Sequence, residues 1–249
     1  MYEVVRFLAE SGVESSMKSI INDVMSAGKN AFTAEMAEVA LRYLYALADK
    51  NDPDALLSLG ALYYTGFGDF LQQDYAKAMS YYEKAAETSE LKNAWALNNL
   101  GYCYYYGRNG KIDYEKAYSC FALSATYRNP NAMYKLGDMY YNGDFVDKSF
   151  DASFYWYAMA REQQDDSDAD LDYQGFLDAS IAMRLGRAFL YGEGTNVNLI
   201  RALSELTTAE VLYYKQILIG DEFARAQLPK TQELISAAKA ALDERIAQE

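Results

Sequence analysis

The chain has 249 residues, 51% of them hydrophobic and 24% charged, with only 3 prolines, a composition that suits one elongated helical array or one large domain and excludes a disordered or membrane-embedded chain. Its 36 acidic residues outnumber 23 basic ones, and the formal charge of -13 repels a phosphate backbone or an anionic lipid surface, so neither nucleic acid nor a membrane is an expected partner. There is no histidine, and the two cysteines, Cys103 and Cys120, are too few for a disulfide scaffold or a four-thiolate zinc site, which excludes histidine-based triads and histidine-ligated metals within this chain.

At the N-terminus, Glu3, Arg6 and Glu10 fall inside what would be the apolar core of an export signal. No later run reaches the roughly 20 apolar residues of a spanning helix, so a soluble cytoplasmic protein is expected. Residues 1–52 are expected to hold N-terminal helices and a diverged half repeat, because Ala40, Leu44 and Ala48 alternate small, large and small at spacings of four.

Four repeats follow, over 53–90, 92–128, 130–162 and 177–214. Each carries a Leu-Gly pair, Leu59-Gly60, Leu100-Gly101, Leu136-Gly137 and Leu185-Gly186, and each pair has a second glycine six residues on, at Gly66, Gly107, Gly143 and Gly192. A fixed offset repeated in this way is the mark of a repeat architecture. Apolar residues at spacings of three and four predict a first helix through each pair. A glycine inside such a helix costs about 1 kcal/mol against alanine, so the Leu-Gly glycine predicts a close approach by a neighbouring helix. The second glycine suits a left-handed C-terminal cap, and Pro53 and Pro130 suit the first helical turn.

A second helix is predicted after each first one. Ala78, Ala117, Ala152 and Ala202 are each followed at +4 by a bulky residue, Tyr82, Phe121, Trp156 and Leu206, and in three cases at +8 by Ala86, Ala125 and Ala160. Such alternation lets helices approach closely, and one pair alone cannot bury it. The block A-x-x-x-L-G-x-x-Y-x-x-G, a loop, then K-A-x-x-Y-Y-x-K-A-A resembles the Sel-1-like repeat, a relative of the tetratricopeptide repeat. Residues 55–86 are the best copy, with Ala55, Leu59, Gly60, Tyr63, Gly66, Gly68, Lys77, Ala78, Tyr81, Tyr82, Lys84, Ala85 and Ala86 on the pattern. The third copy lacks the lysine before Ala152, and the fourth degenerates after Ala202. The resemblance implies an all-α fold, an α/α superhelical solenoid of helix-turn-helix repeats.

An acidic insertion, 163–176, lengthens the Leu-Gly spacing to 49 residues from 41 and 36. Its Asp166, Asp168, Asp170 and Asp172 alternate as calcium ligands do, but Leu171 and Leu177 stand where such a loop needs glycine and glutamate. A solvated loop leading into a helix near Asp172 is expected, and no metal or cofactor. Residues 215–249 are expected to cap the array, with Pro229 breaking one helix and 230–249 forming a closing one.

The resemblance implies that the first helices line a concave groove. Offsets of -3, +1 and +4 from each repeat glycine then face it: Leu57, Ala61, Tyr64; Asn98, Tyr102, Tyr105; Tyr134, Asp138, Tyr141; Met183, Arg187, Leu190. Of these, Tyr64, Asn98, Tyr102, Tyr105, Tyr134, Asp138, Tyr141 and Arg187 are the candidate partner-binding residues, since tyrosine offers large contact area and a polar tip at low entropy cost. The same rings could instead pack between adjacent first helices. A carboxylate-clamp ligand is not expected, because only Asn98 and Arg187 among the twelve offset positions suit one. The cysteine-rich branch of the family bridges its helices, but here Cys103 and Cys120 are confined to the second copy and free thiols are the plainer expectation. The expected function is a non-catalytic scaffold or adaptor, monomeric or weakly homo-oligomeric, that binds an apolar or basic protein or peptide segment. A structural homo-oligomer is the alternative, and a carboxylate-dependent enzyme a more remote one.

Overall fold

Capping residues decide where the helices begin. The computed structural model describes residues 9–10, 12–26, 33–88, 90–165 and 171–248, and these fall into two compact units, Met1–Tyr127 and Arg128–Glu249. The first unit contains α1 (Glu14–Ser26), α2 (Ala34–Ala48), α3 (Pro53–Thr65), α4 (Tyr75–Ala86), α5 (Glu90–Tyr105) and α6 (Tyr114–Thr126). The second contains α7 (Pro130–Asn142), α8 (Phe150–Asp165), α9 (Leu171–Tyr191), α10 (Leu199–Leu218) and α11 (Glu222–Ala247). Among the described residues there is no strand, only an isolated bridge between Phe67 and Leu71.

The first helices of the four repeats are α3, α5, α7 and α9, and each packs on the helix that follows it. Pro53 and Pro130 occupy the first turns of α3 and α7, behind the caps Asp52 and Asn129. There the missing N–H leaves no helical bond unmade. Each second helix starts at a residue whose side chain accepts a backbone N–H three positions on: Asp74 from Lys77, Asp113 from Lys116, Ser149 from Ala152 and Asn198 from Arg201. The N–H of the same cap residue donates back to the last turn of the first helix, to the carbonyls of Tyr63 (2.8 Å), Tyr104 (3.0 Å), Tyr140 (2.9 Å) and Phe189 (2.8 Å). One residue thus begins one helix and ties it to the end of the previous one.

The repeat glycines lie where the second helices press closest. A Cβ placed on Gly60 would collide with the Tyr82 ring, and one on Gly101, Gly137 or Gly186 would lie 2.6, 2.5 or 2.6 Å from Phe121, Tyr157 or Leu206. The third of these partners corrects the sequence-based register, in which Trp156 filled that place. Ser149 caps α8, so the small residue four positions after the cap is Ser153, 2% exposed, and the ring four further on is Tyr157. The wholly buried small residue that completes the face lies at +7 rather than +8, as Ala85, Ser124, Ala160 and Ala209. Two helical turns span about 7 residues, so +7 returns to the packed face while +8 drifts off it.

The second glycines end the first helices with positive φ, at 79° for Gly66, 63° for Gly107, 82° for Gly143 and 72° for Gly192. At the last three, the N–H of the next residue reaches back five positions: Arg108 to Cys103, Asp144 to Met139 and Glu193 to Ala188, at 2.8, 3.0 and 3.0 Å. This is the Schellman geometry, and it fixes the backbone of the residue after the glycine.

Ala40, Leu44 and Ala48 are buried on α2, in the core that also takes Leu56, Leu59 and Tyr63 of α3. At the other end Pro229 does not break its helix; α11 runs through it from Glu222 to Ala247. The proline removes one backbone bond, a cost of about 3 kcal/mol. Burial of Ala224 before it and Thr231, Ile235 and Ala238 after it outweighs that cost, because all four lie on the side of α11 that packs on α10 and α9. Of the acidic insertion, α8 reaches Asp165 and α9 starts at Leu171, while Asp166, Asp168 and Asp170 lie outside the described residues.

Gly101→Ala should lower stability by about 1–3 kcal/mol in thermal or urea denaturation, because the Phe121 ring must move. Adding Phe121→Leu should return part of that loss, and an unchanged midpoint in Gly101→Ala would remove the close-approach account.

Candidate partner-binding surface

Within Met1–Tyr127 the groove-offset tyrosines are set into a lattice of rings. Tyr64 meets the edge of Tyr75 at 5.2 Å, Tyr102 stacks on Tyr106 at 6.0 Å and meets Phe121 at 5.5 Å, and Tyr105 touches Tyr106 and Tyr114, each at 5.1 Å. All three are half-buried, so they serve as packing and as surface at once. Leu57 is half-buried and Ala61 exposed. Asn98 is buried; its amide nitrogen donates to Asn99 at 3.3 Å and its Oδ1 has no partner.

Within Arg128–Glu249 the offset residues form a charged network. Asp138 binds Arg184 through both carboxylate oxygens, at 2.6 and 3.3 Å, accepts from the Tyr157 hydroxyl at 2.8 Å and lies 3.4 Å from the Lys135 ammonium. Burial by itself would raise the Asp138 pKa, but the Arg184 and Lys135 charges overcome it and hold the carboxyl below its usual 3.8. The Tyr157 hydroxyl is pushed up by burial and by the Asp138 charge. Tyr134, buried, lies against Tyr157 with the Arg184 guanidinium 4.6 Å from its ring centre. Tyr141 has Arg187 at 3.7 Å over its ring and donates its hydroxyl to Glu193 at 3.4 Å, and Glu193 in turn pairs with Arg187 at 3.0 Å. Met183 is half-buried and Leu190 buried.

One relation recurs. Tyr64 and Tyr141 both stand at +4 from their repeat glycines, and both bond to the residue at +7 of the next repeat, Arg108 at 3.1 Å and Glu193 at 3.4 Å. Those +7 residues directly follow the capping glycines Gly107 and Gly192, so the glycine cap fixes their backbone. Arg108, Lys135, Tyr157, Arg184 and Glu193 are absent from the offset positions chosen on sequence. Lys135 and Arg184 share offset -2, a repetition that could have revealed them, and both are spent on Asp138.

Cys103 and Cys120 are both free. Burial pushes the Cys103 thiol up to about 12 and the Cys120 thiol up to about 11. Among the described residues no group of three or more acidic or cysteine side chains could hold a metal ion, and no helix is long and apolar enough to cross a membrane.

Comparison with known proteins adds the family. The Sel1 repeat pattern matches residues 53–87, 96–126, 130–165 and 181–204, together just over half of the chain. The ERAD-associated E3 ubiquitin-protein ligase component HRD3B of Arabidopsis thaliana is 33% identical over 102 residues, which are 41% of this chain and 15% of that protein. The chain therefore spans only a small part of that curated relative. Among solved structures, a Sel1 repeat protein from Oxalobacter formigenes has a TM-score of 0.62 at 20% identity, covering 84% of this chain and 79% of that one. The c5321 protective antigen of uropathogenic Escherichia coli strains, which displays an SLR fold, has a TM-score of 0.57 at 20% identity, covering 97% of this chain and 56% of that one. At such identity these likenesses speak for the fold alone, the α/α solenoid class that the repeats imply.

Asp138→Asn should destabilise the protein by about 3–5 kcal/mol at neutral pH, because it leaves Arg184 and Lys135 without their anion. The depressed carboxyl contributes stability above its ordinary 3.8, and that contribution is lost as pH falls through the lower folded value. The gap between wild type and Asp138→Asn should therefore narrow in acid, and a constant gap in urea titrations would refute the electrostatic origin. Only the thiolate alkylates readily, so both cysteines should resist iodoacetamide at pH near 8 until urea unfolds the chain. Fast labelling of the folded protein would contradict the burial of Cys103 and the raised pKa of the half-buried Cys120.

Proposed function

The chain belongs to the Sel1 repeat family, and from that premise we propose that it is a non-catalytic scaffold or adaptor that holds a protein or peptide segment against its first helices. The observation that carries this reading is the repeated setting of tyrosine side chains, Tyr64 against the Tyr75 ring and Tyr141 between Arg187 and Glu193. Rings held in place before a partner arrives lose little entropy on binding, and they offer both apolar area and a hydrogen-bonding tip. A net charge of -13 favours a segment with positive charge and apolar or aromatic anchors. The likeness to a ubiquitin-ligase component supports a protein partner. The two free thiols, held protonated by burial, suit a reducing compartment such as the cytoplasm. They also make poor nucleophiles, and with no histidine in the chain the usual acid-base and nucleophilic constellations lack their parts.

Self-association is the second reading, and one surface favours it. On α10, Ile200, Val211 and Leu218 are 65%, 49% and 86% exposed, an unusual share of apolar surface for one helix face. Light scattering of the purified protein separates the two, since a stable dimer supports self-association and a monomer the adaptor.

The adaptor reading is tested by affinity capture from the source cell followed by mass spectrometry, with the wild type and a Tyr102→Ala, Tyr105→Ala, Tyr141→Ala variant as baits. If the rings are hot spots, the variant should lose at least about 2 kcal/mol of affinity for the captured partner with helicity largely kept. Unaltered capture by a destabilised variant would make the rings packing residues and move the binding surface elsewhere.

A further inference from the structure

Arg108 is an exposed arginine whose surroundings are rings. Its guanidinium lies 5.6 Å from the centre of Tyr64, 5.1 Å from Tyr75 and 5.7 Å from Tyr106. Its Nε donates to the Tyr64 hydroxyl at 3.1 Å. In a chain with 36 acidic residues, no carboxylate pairs with it among the described residues. Arg184 and Arg187 differ in this respect, since each also lies over tyrosine but is held by an acid, Asp138 or Glu193. Three distances below 6 Å make Tyr64, Tyr75 and Tyr106 an aromatic cage for a planar cation. The cage is built by the fold: Tyr64 lies in the last turn of α3, Tyr75 begins α4, Tyr106 follows α5, and Arg108 follows the Gly107 cap.

We infer that this tyrosine cage is a recognition site for an arginine of a basic protein partner, with Arg108 as its displaceable resident. The resident shows what the cage accepts. Its hold is weak, because among the described residues its side chain has one hydrogen bond to a neutral hydroxyl and exposed cation–π contacts, with no carboxylate partner, and Tyr106 remains 49% exposed. The net charge of -13 favours the approach of a basic partner to the chain. A partner guanidinium entering the cage makes the contacts that Arg108 gives up, and Arg108 swings into water with its charge solvated. The inference rests on the scaffold reading and names the chemistry that one part of the first-helix surface reads.

The test uses the full chain and a fluorescently labelled, capped peptide of two arginines spaced by glycines, titrated by anisotropy. Emptying the cage with Arg108→Ala should tighten binding by about fivefold or more over wild type, since the competing resident is gone. The same peptide with citrulline, a neutral isostere, should show no gain. Adding Tyr106→Ala to Arg108→Ala should abolish the gain. Equal affinity of wild type and Arg108→Ala, or an equal gain with citrulline, overturns the cage. Should Arg108→Ala fail to fold by circular dichroism, Arg108→Gln keeps a donor near Tyr64 without the charge and carries the same expectation. If the peptide shows no gain while capture of a cellular partner still depends on Tyr102, Tyr105 and Tyr141, the cage fails and the scaffold reading stands.

Discussion

The structure depends on the contact between a bare backbone and a buried side chain. In every repeat the second helix presents a bulky residue, Tyr82, Phe121, Tyr157 or Leu206, to a glycine in the middle of the first helix, and no Cβ fits between them. Each such glycine costs helical stability, and the dispersion contacts of a wholly or nearly buried side chain outweigh it. The small residues four positions before and three after each bulky one let the same two helices approach along their length. With the approach distance set, the cap residue of the second helix lands where its N–H reaches the last turn of the first.

That geometry also places the chemistry. The glycine that ends each first helix carries the chain into a left-handed cap, and in three repeats the residue after it is held by a bond five positions back. Arg108 and Glu193 occupy this place, and each meets a tyrosine of the preceding repeat. The backbone device is the same and the side chains carry opposite charge, so one repeat position can alter the character of the surface without altering the fold.

The two arginine environments show how charge is managed in an acidic chain. Asp138, with 13% of its side chain exposed, is surrounded by Arg184, Lys135 and the Tyr157 hydroxyl, as a mostly buried carboxylate must be. Its donors all come from its own unit, which makes the cluster a structural tie. Arg108 has solvent for its charge and rings for its plane, and needs no anion. A buried charge without partners would be costly, whereas an exposed one held by weak contacts is free to exchange them.

The sequence by itself determined the helix pairs, because the information is local and periodic. Leu-Gly pairs and second glycines act within a few residues of themselves, and the repeat makes each visible four times, with a proline at two of the four first-helix starts. Where a signal was local but unrepeated, as with Ser149 capping α8 and shifting the third register from Trp156 to Tyr157, the spacing alone pointed one residue off. The passage of α11 through Pro229 was decided by tertiary structure, since burial on either side of the proline outweighs its local cost. The same holds for the surface. Offsets from the repeat glycine located Tyr64, Asp138 and Tyr141, but their partners Arg108, Arg184 and Glu193 come from a neighbouring repeat 44, 46 and 52 residues away in the chain. Whether a tyrosine faces water, a ring or a guanidinium depends on what the next helix pair brings to it, and that is known only once the pairs are stacked.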